Sequence, residues 1–289
     1  VGRTSGKAEI VDPQLNGYRL TPSSGTPVPT TDQLAVSTLY LTPYKGDAIA
    51  LWDGSTWIRR TPGEVSLNLD TALAGAPLTA SSIFDVFAYD AAGTVTLEAL
   101  VWASSSARAT ALVYNDGVLS KTGDLTRRWV GTIRTTAVAG DIEVSNAKTY
   151  LDNADNRVDR VTEQVDPTAS WTLVNAVVWR GANNGNANWI HEYVVGWLGE
   201  VVHGFSGVYV NTVPGGQFVS FVHQNNATTI NPQAFFAAGT PSVAARMFSG
   251  ITEPAVGYAK LVTLENSGGT GTTTIQGSGN ASHRVTRRF

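Results

Sequence analysis

The 289-residue chain has no cysteine. That excludes disulfides, thiolate metal ligands, iron–sulfur clusters and thiol catalysis. The four histidines, His191, His203, His223 and His283, stand singly, and none has the short spacing of a zinc site. Charge is thin as well: Asp, Glu, Lys and Arg make up 15% of the residues, against about 25% in an ordinary soluble domain. A net charge of -3 provides no basic field for nucleic acid. The one basic cluster, Arg284, Arg287 and Arg288, reads as a solvated tail or a salt-bridged edge. No apolar run reaches the ~18 residues of a membrane helix, so no membrane insertion is expected. Val1–Lys7 has no apolar h-region and reads as no signal peptide. The chain opens on Val1 and not on Met, which suggests a trimmed segment of something longer.

Hydrophobic residues make up 42% of the chain, enough for a real core, and glycine is abundant at 29. Thr, Val, Ala, Ser and Asn fill much of the rest, a mixture that favours strands, tight turns and polar, weakly charged surfaces. The expected fold class is mainly β: an antiparallel β-domain, a short connecting helix, then a second β-sandwich or jelly-roll domain. Residues 1–36, with Ser23-Ser24-Gly25-Thr26-Pro27-Val28-Pro29, read as an extended N-terminal arm. Residues 37–145 read as the first β-domain. Leu39–Trp57 places two strand-like runs around Asp53-Gly54, with Trp52 before the turn and Trp57 after it. Asn115-Asp116-Gly117 marks a second hairpin. Asp85–Tyr89, Thr94–Trp102 and Arg128–Thr135 add alternating strands.

Residues 146–166 read as a helix. Leu151, Ala154, Val158, Val161 and Val165 recur at intervals of three and four, with charged residues on the other faces. The spacing fits an amphipathic connector, and it also fits a candidate trimer seam. Two heptads cannot hold three chains alone, so flanking β-domains would have to help. Composition shifts at Pro167: residues 1–166 carry 14 Lys/Arg and 19 Asp/Glu, whereas 167–289 carry six Lys/Arg, four Glu and no Asp. Residues 167–289 read as the second β-domain, its short strands separated by Asn- and Gly-rich turns.

Tests for chemistry come out negative. Gly204-Phe205-Ser206-Gly207-Val208 lacks the final glycine of a nucleophile elbow. Asp152-Asn153-Ala154-Asp155-Asn156 lacks the glycine and terminal Glu of a calcium loop. A glycosidase needs two facing carboxyl groups, and the second domain offers only Glu192, Glu200, Glu253 and Glu265. No phosphate-binding loop is present. Neither a catalytic residue, a metal site nor a cofactor is expected. One cluster suits ligand binding: Trp179, Asn183, Asn184, Asn186 and Trp189 combine indole faces with amides, as a glycan surface does. The same residues also suit packing and turns.

A set of segments resembles virion proteins of tailed bacteriophages, of the tail-fibre, appendage and head-fibre type. They are Tyr18-Arg19-Leu20-Thr21, Leu39-Tyr40-Leu41-Thr42-Pro43-Tyr44-Lys45-Gly46, Leu51-Trp52-Asp53-Gly54, Arg108-Ala109-Thr110-Ala111-Leu112-Val113, Asp116-Gly117-Val118-Leu119, Thr126 through Thr135, and Asn156-Arg157-Val158. The resemblance runs from about residue 18 to residue 165. It implies a homotrimeric structural subunit of the virion, assembled with other virion proteins and able to contact a host-surface glycan. It carries over no catalytic motif and does not fix the place on the particle. A head-decoration protein and a polysaccharide-degrading tailspike are the alternatives.

Overall fold

The computed structural model describes residues 11–174, 179–199, 201–212, 219–225, 229–236, 243–252, 255–267, 271–277 and 281–289. Parts of the expected features lie outside them: Val1–Lys7, Glu200, Glu253 and the loop 268–270. The described residues are mostly β-strand, arranged in mainly antiparallel sheets, with a parallel pairing of Lys148–Thr149 to Ile190–Val195. The chain divides into two units. The first comprises 1–29, 36–141 and 153–156; the second comprises 30–35, 142–152 and 157–289.

The first eleven strands are β1 (Tyr18–Thr21), β2 (Gln33–Val36), β3 (Thr38–Pro43), β4 (Ile49–Trp52), β5 (Trp57–Arg60), β6 (Val65–Asn68), β7 (Ile83–Ala91), β8 (Thr94–Val101), β9 (Leu112–Asn115), β10 (Val118–Lys121) and β11 (Asp124–Arg134). All but β2 build the first unit, as a β1-β3-β6 sheet, a β8-β7-β11-β10-β9 sheet and a β4-β5 hairpin. Both expected hairpins form. Trp52 pairs with Trp57 across β4 and β5, their indoles 5.6 Å apart. Asp53 Oδ1 holds the connecting loop by accepting from the Ser55 and Thr56 amides, each at 2.8 Å. Asp116 and Gly117 both have positive φ, 49° and 83°, as a tight type I′ turn demands. Trp57 Nε1 donates to Asp116 Oδ2 at 2.9 Å, which ties the two hairpins together.

β7 is covered on both faces from Ile83 to Ala88. Burying Phe84 and Phe87 completely contributes roughly 1.5–3 kcal/mol each. Asp85 lies in the same covered stretch, and four donors satisfy it. Arg108 gives two bonds at 2.7 and 3.1 Å, Thr132 Oγ1 one at 2.7 Å and Trp129 Nε1 one at 3.2 Å. Two other arginines bind backbone carbonyls. Arg128 donates to the carbonyls of Pro13, Leu15 and Ala50 and to Asp155. Arg19 donates to those of Pro27 and Asn156.

The expected arm over 1–36 is corrected for Tyr18–Thr21, which is a buried strand. It pairs with β3 from Tyr18↔Pro43 to Thr21↔Tyr40. The Ser/Gly/Pro-rich composition that suggested an arm begins only after Thr21.

The remaining strands are β12 (Ile142–Val144), β13 (Lys148–Thr149), β14 (Leu151–Asn153), β15 (Asp159–Val165), β16 (Ser170–Val174), β17 (Arg180–Gly181), β18 (Ile190–Val195), β19 (Val201–Thr212), β20 (Val219–Asn225), β21 (Thr229–Phe236), β22 (Val243–Thr252), β23 (Gly257–Ser267), β24 (Thr272–Gln276) and β25 (Ser282–Arg288). Two sheets organise the second unit. In one, β22 pairs one side of β19. On its other side β25 takes the first half of β19 and β24 the second. β15 then lies beyond β25, and β16 beyond β24. β15 and β16 are therefore two halves of one edge strand. The other sheet runs β18-β23-β20-β21, with β17 on β23 and with β13, β12 and β2 extending it past β18.

In chain order the eight strand positions β15/β16, β17/β18, β19, β20, β21, β22, β23 and β24/β25 fall in the first, second, first, second, second, first, second and first sheet. That is the order of a jelly roll. Tyr193, Val195, Ala259 and Leu261 of one sheet meet Val202 and Val285 of the other in the core.

The helix expected over 146–166 does not form. Lys148–Thr149, Leu151–Asn153 and Asp159–Val165 are strands, and Asn156 at φ 53° breaks the run. β15 alternates strictly: Thr162 is buried while Val161 and Val165 are exposed. The helical seam of Leu151, Ala154, Val158, Val161 and Val165 is thus corrected. Leu151 is buried on β14, and Val161 and Val165 share the outer face of β15. The register with β25 explains the outcome. Asp159 and Glu163 lie opposite Arg288 and Arg284, so opposite charges face each other across strands. The only α-type turn among the described residues is Ala182–Gly185, where Asn183 and Asn184 take left-handed φ of 48° and 58°.

Candidate functional site

The Asn/Trp cluster is built around a carboxylate. Asp166 is fully buried at the end of β15. Its Oδ2 accepts from Trp189 Nε1 at 2.7 Å and from Asn183 Nδ2 at 2.8 Å, and its Oδ1 accepts from the Thr168 amide at 2.9 Å. Burial pushes the Asp166 carboxyl up, but the hydrogen bonds from Thr168, Asn183 and Trp189 outweigh it and hold the group below its ordinary value. Trp189 packs edge-on against Trp171 at 5.9 Å and has no exposed surface. An indole with no open face cannot stack on a sugar, so the glycan role expected of Trp189 is corrected to a structural one. Asn183 is used by Asp166 and Thr168, and Asn186 accepts from the Asn188 amide. Trp179 is half-buried and Asn184 is exposed.

Glu265, Glu192 and Ser206 of the second unit are also engaged. Glu265 is fully buried between Trp171 Nε1 at 2.9 Å and the Arg180 guanidinium at 2.8 Å; burial raises its carboxyl above the usual range. Glu192 accepts from the Tyr150 hydroxyl. Ser206 Oγ lies 3.1 Å from His283 Nδ1 and 2.7 Å from Thr263 Oγ1. All three side chains are sealed in the interior, where no substrate reaches them. His203, three residues earlier on β19, is on the opposite face and exposed. His191 is buried too. Its Nδ1 donates to the Asn146 carbonyl, and its ring stacks on Tyr193 at 5.9 Å. Burial lowers its pKa to about 3, so the ring is neutral. No group of three metal-ligating side chains gathers among the described residues, and no helix there is long and apolar enough to cross a membrane.

Two surfaces remain. In the first unit a groove of about 490 Å³ runs between β6 and the β7-β8 hairpin, lined by Pro62, Glu64, Val65, Ser66 and Gly93–Leu97. Glu64 is held there by the hydroxyls of Ser24 and Thr42, each at 2.6 Å, and by the Gly25 amide. In the second unit the outer face of the β15-β25-β19 sheet exposes Val161 (58%), Val165 (46%) and Val201 (40%), with Val174 (59%) on β16. Between the valines run an acidic stripe, Asp159 and Glu163, and a basic stripe, Arg284 and Arg288. Glu163 and Arg284 are joined at 2.7 Å. Sequence reasoning picked Val161 and Val165 for the wrong geometry; the period-2 alternation of Asp159–Val165 was the signal for this face.

No protein-family profile matches the chain, and no curated protein matches it. Among solved structures it is similar to the insecticidal delta-endotoxin Cry8Ea1 from Bacillus thuringiensis, at 8% identity and a TM-score of 0.22, over 94% of this chain and 51% of that one. It therefore spans about half the length of the endotoxin. It is also similar to infectious bursal disease virus Gx strain, at 13% identity and a TM-score of 0.25, over 98% and 79%. A third is the VP2 subviral particle of infectious bursal disease virus, at 10% identity and a TM-score of 0.26, over 97% and 78%. Likeness at these TM-scores carries no functional argument.

Proposed function

We propose that the chain is a non-catalytic structural subunit of a tailed-phage virion, of the fibre or appendage type, acting as a homotrimer. The observation that supports this reading is the convergence of the segments that resemble such proteins. Tyr18–Thr21, Leu39–Gly46, Leu51–Gly54, Arg108–Val113, Asp116–Leu119, Thr126–Thr135 and Asn156–Val158 are scattered over some 140 residues of sequence. All but Arg157 and Val158 lie in the first unit, where β1 pairs with β3, Arg19 donates to the Asn156 carbonyl and Arg108 stacks over Trp129. That unit is the proposed attachment to other virion proteins. The second unit is the proposed outward-acting part, with a host-surface glycan as a partner. Asn184 is the exposed member of the Asn/Trp cluster, and Trp179, Asn183 and Asn186 are half-buried.

Immunogold labelling of purified particles of the encoding phage tests the proposal. Label at fixed positions on the particle is expected; label confined to the soluble lysate overturns it. Incubation with host capsule separates the tailspike alternative, since release of new reducing ends contradicts a non-catalytic subunit.

A further inference from the structure

We propose that the inner face of the β15-β25 ladder binds a small monovalent anion, of the halide class, between Arg160 and Arg287. The site belongs to the second unit and stands whether or not the chain is part of a virion. Alternation along the two strands sends Arg160, Thr162 and Gln164 inward from β15, and His283, Val285 and Arg287 inward from β25. In this register Arg160 lies directly opposite Arg287. The charged pairs on the outer face, Asp159 with Arg288 and Glu163 with Arg284, match opposite signs. The inward pair sets two positive charges against each other, which destabilises a ladder unless something neutralises them.

Solvent does little to screen this pair. The Arg287 side chain is 4% exposed and that of Arg160 13%. Burial pushes the Arg160 guanidinium down, against the pull of Asp32. Arg287 lies over the Tyr193 ring at 4.9 Å, and His191 stacks on the same ring. The charges of Arg287 and Arg160 both help to keep the His191 ring neutral, so the two guanidinia share one part of the interior. The carboxylates that reach them engage one nitrogen of each. Asp32 Oδ1 lies 3.3 Å from Arg160 Nη2, and Asp152 Oδ2 lies 3.4 Å from Arg287 Nη2. That Asp152 oxygen is already shared, with the Gly196 amide at 2.6 Å and with Arg157 at 3.7 Å. Arg160 Nη1 and Arg287 Nε and Nη1 are buried and meet no acceptor among the described residues. Native interiors leave few polar groups unmet, and here the donors left over belong to two opposed cations.

These donors favour an anion over a water molecule. Water would serve Asp152 Oδ1, which is also buried without a partner, and one N–H group, but it leaves the like charges opposed. An anion accepts charge-assisted hydrogen bonds from several N–H groups and neutralises the pair at once. Asp32 and Asp152 already bring negative charge, so one added charge suits the site better than a divalent phosphate or sulfate. Asp32, whose side chain is 41% exposed, marks the solvent side from which an ion reaches Arg160.

Crystals of the full chain grown in sodium bromide and measured at the bromine absorption edge test the site. An anomalous peak between the Arg160 and Arg287 guanidinia is expected. In calorimetry at fixed ionic strength, replacing gluconate with chloride is expected to raise the melting temperature of the second unit, as binding to the folded state alone requires. Arg160→Gln is expected to keep the far-UV CD spectrum, lose the bromide peak and raise the chloride needed for the same shift at least tenfold. Arg160→Lys keeps the charge without the guanidinium fork and guards against loss of fold; it is expected to change the chloride dependence in the same direction. Arg284→Gln, on the outer face of β25, is expected to leave both readings as in wild type. Water alone at the site overturns the proposal, and so does a melting temperature indifferent to chloride. A bromide peak with no chloride dependence in solution is binding at crystal concentration only and overturns it too. So does a chloride dependence that both Arg160 variants retain unchanged.

Discussion

The two units solve one problem, a mostly β chain without disulfides, in different ways. The first unit uses charge. Arg19 and Arg128 bind loop carbonyls, Arg108 neutralises buried Asp85, and Arg60 holds Asp90 at 2.7 Å. The Arg60 hydrogen bond keeps the Asp90 carboxyl below its ordinary value. The second unit also buries ion pairs, Asp152 with Arg157 and Arg287 and Glu265 with Arg180, but it has few acids after Pro167, and its jelly roll seals the polar side chains of His191, His283, Ser206, Thr263 and Asp166 inside. Irregular connections need many fixed donors, which arginine supplies. A two-sheet sandwich satisfies its backbone through its own ladders.

The largest expected effect breaks the first unit alone. Asp85→Ala strands the Arg108 guanidinium, whose side chain is only 11% exposed. Removing one partner of a buried pair costs about 3–5 kcal/mol. Calorimetry should show the transition of the first unit falling while that of the second stays in place.

The second prediction concerns acid and separates the units by pH. Burial holds the folded pKa of His191 at about 3, against an ordinary value of 6.5. The unfolded chain therefore binds a proton that the folded chain refuses as pH falls from 6.5 toward 3. Stability is fully present above pH 6.5 and is lost through that window, by roughly 4 kcal/mol at its lower end. Glu265 acts in the opposite direction: its raised pKa removes stability as pH rises above its unfolded value of 4.5. Asp90 has a lowered pKa, so its contribution is present above pH 3.8 and lost only below it. The second unit should therefore weaken first on mild acidification. His191→Gln should flatten the pH dependence of its melting temperature between 6.5 and 4.

Next in size is Asp166→Asn, which keeps the shape but replaces one acceptor oxygen with a donor facing either Trp189 and Asn183 together or the Thr168 amide. A loss of about 1–3 kcal/mol is expected, confined to the second unit. Of similar size is Trp189→Phe, which removes a hydrogen bond to a buried carboxylate and leaves a cavity. It should cost about 2–4 kcal/mol of stability and leave any signal on a glycan array unchanged, because the buried indole offers no sugar face. Loss of glycan binding with no loss of stability would contradict the structural role given to Trp189.

How much of this was legible in the sequence depended on how local each signal was. The turns at Asp53-Gly54 and Asn115-Asp116-Gly117 are set by a few adjacent residues, and the hairpins formed as expected. The sandwich after Pro167 was readable from alternation and Asn/Gly turns. Residues 146–166 misled because their apolar spacing fits a helix, whereas Asp159–Val165 is recruited by β25 more than 100 residues later. Trp189 and Asn183 looked like a ligand surface because nothing nearby announces Asp166 as their common acceptor. Exposure of a tryptophan is decided by packing and not by its neighbours in sequence.

The most direct measurement is a reconstruction of the intact particle that carries the chain. The account predicts copies of the chain at a fixed position on the particle. Particles that contain no copy would contradict it.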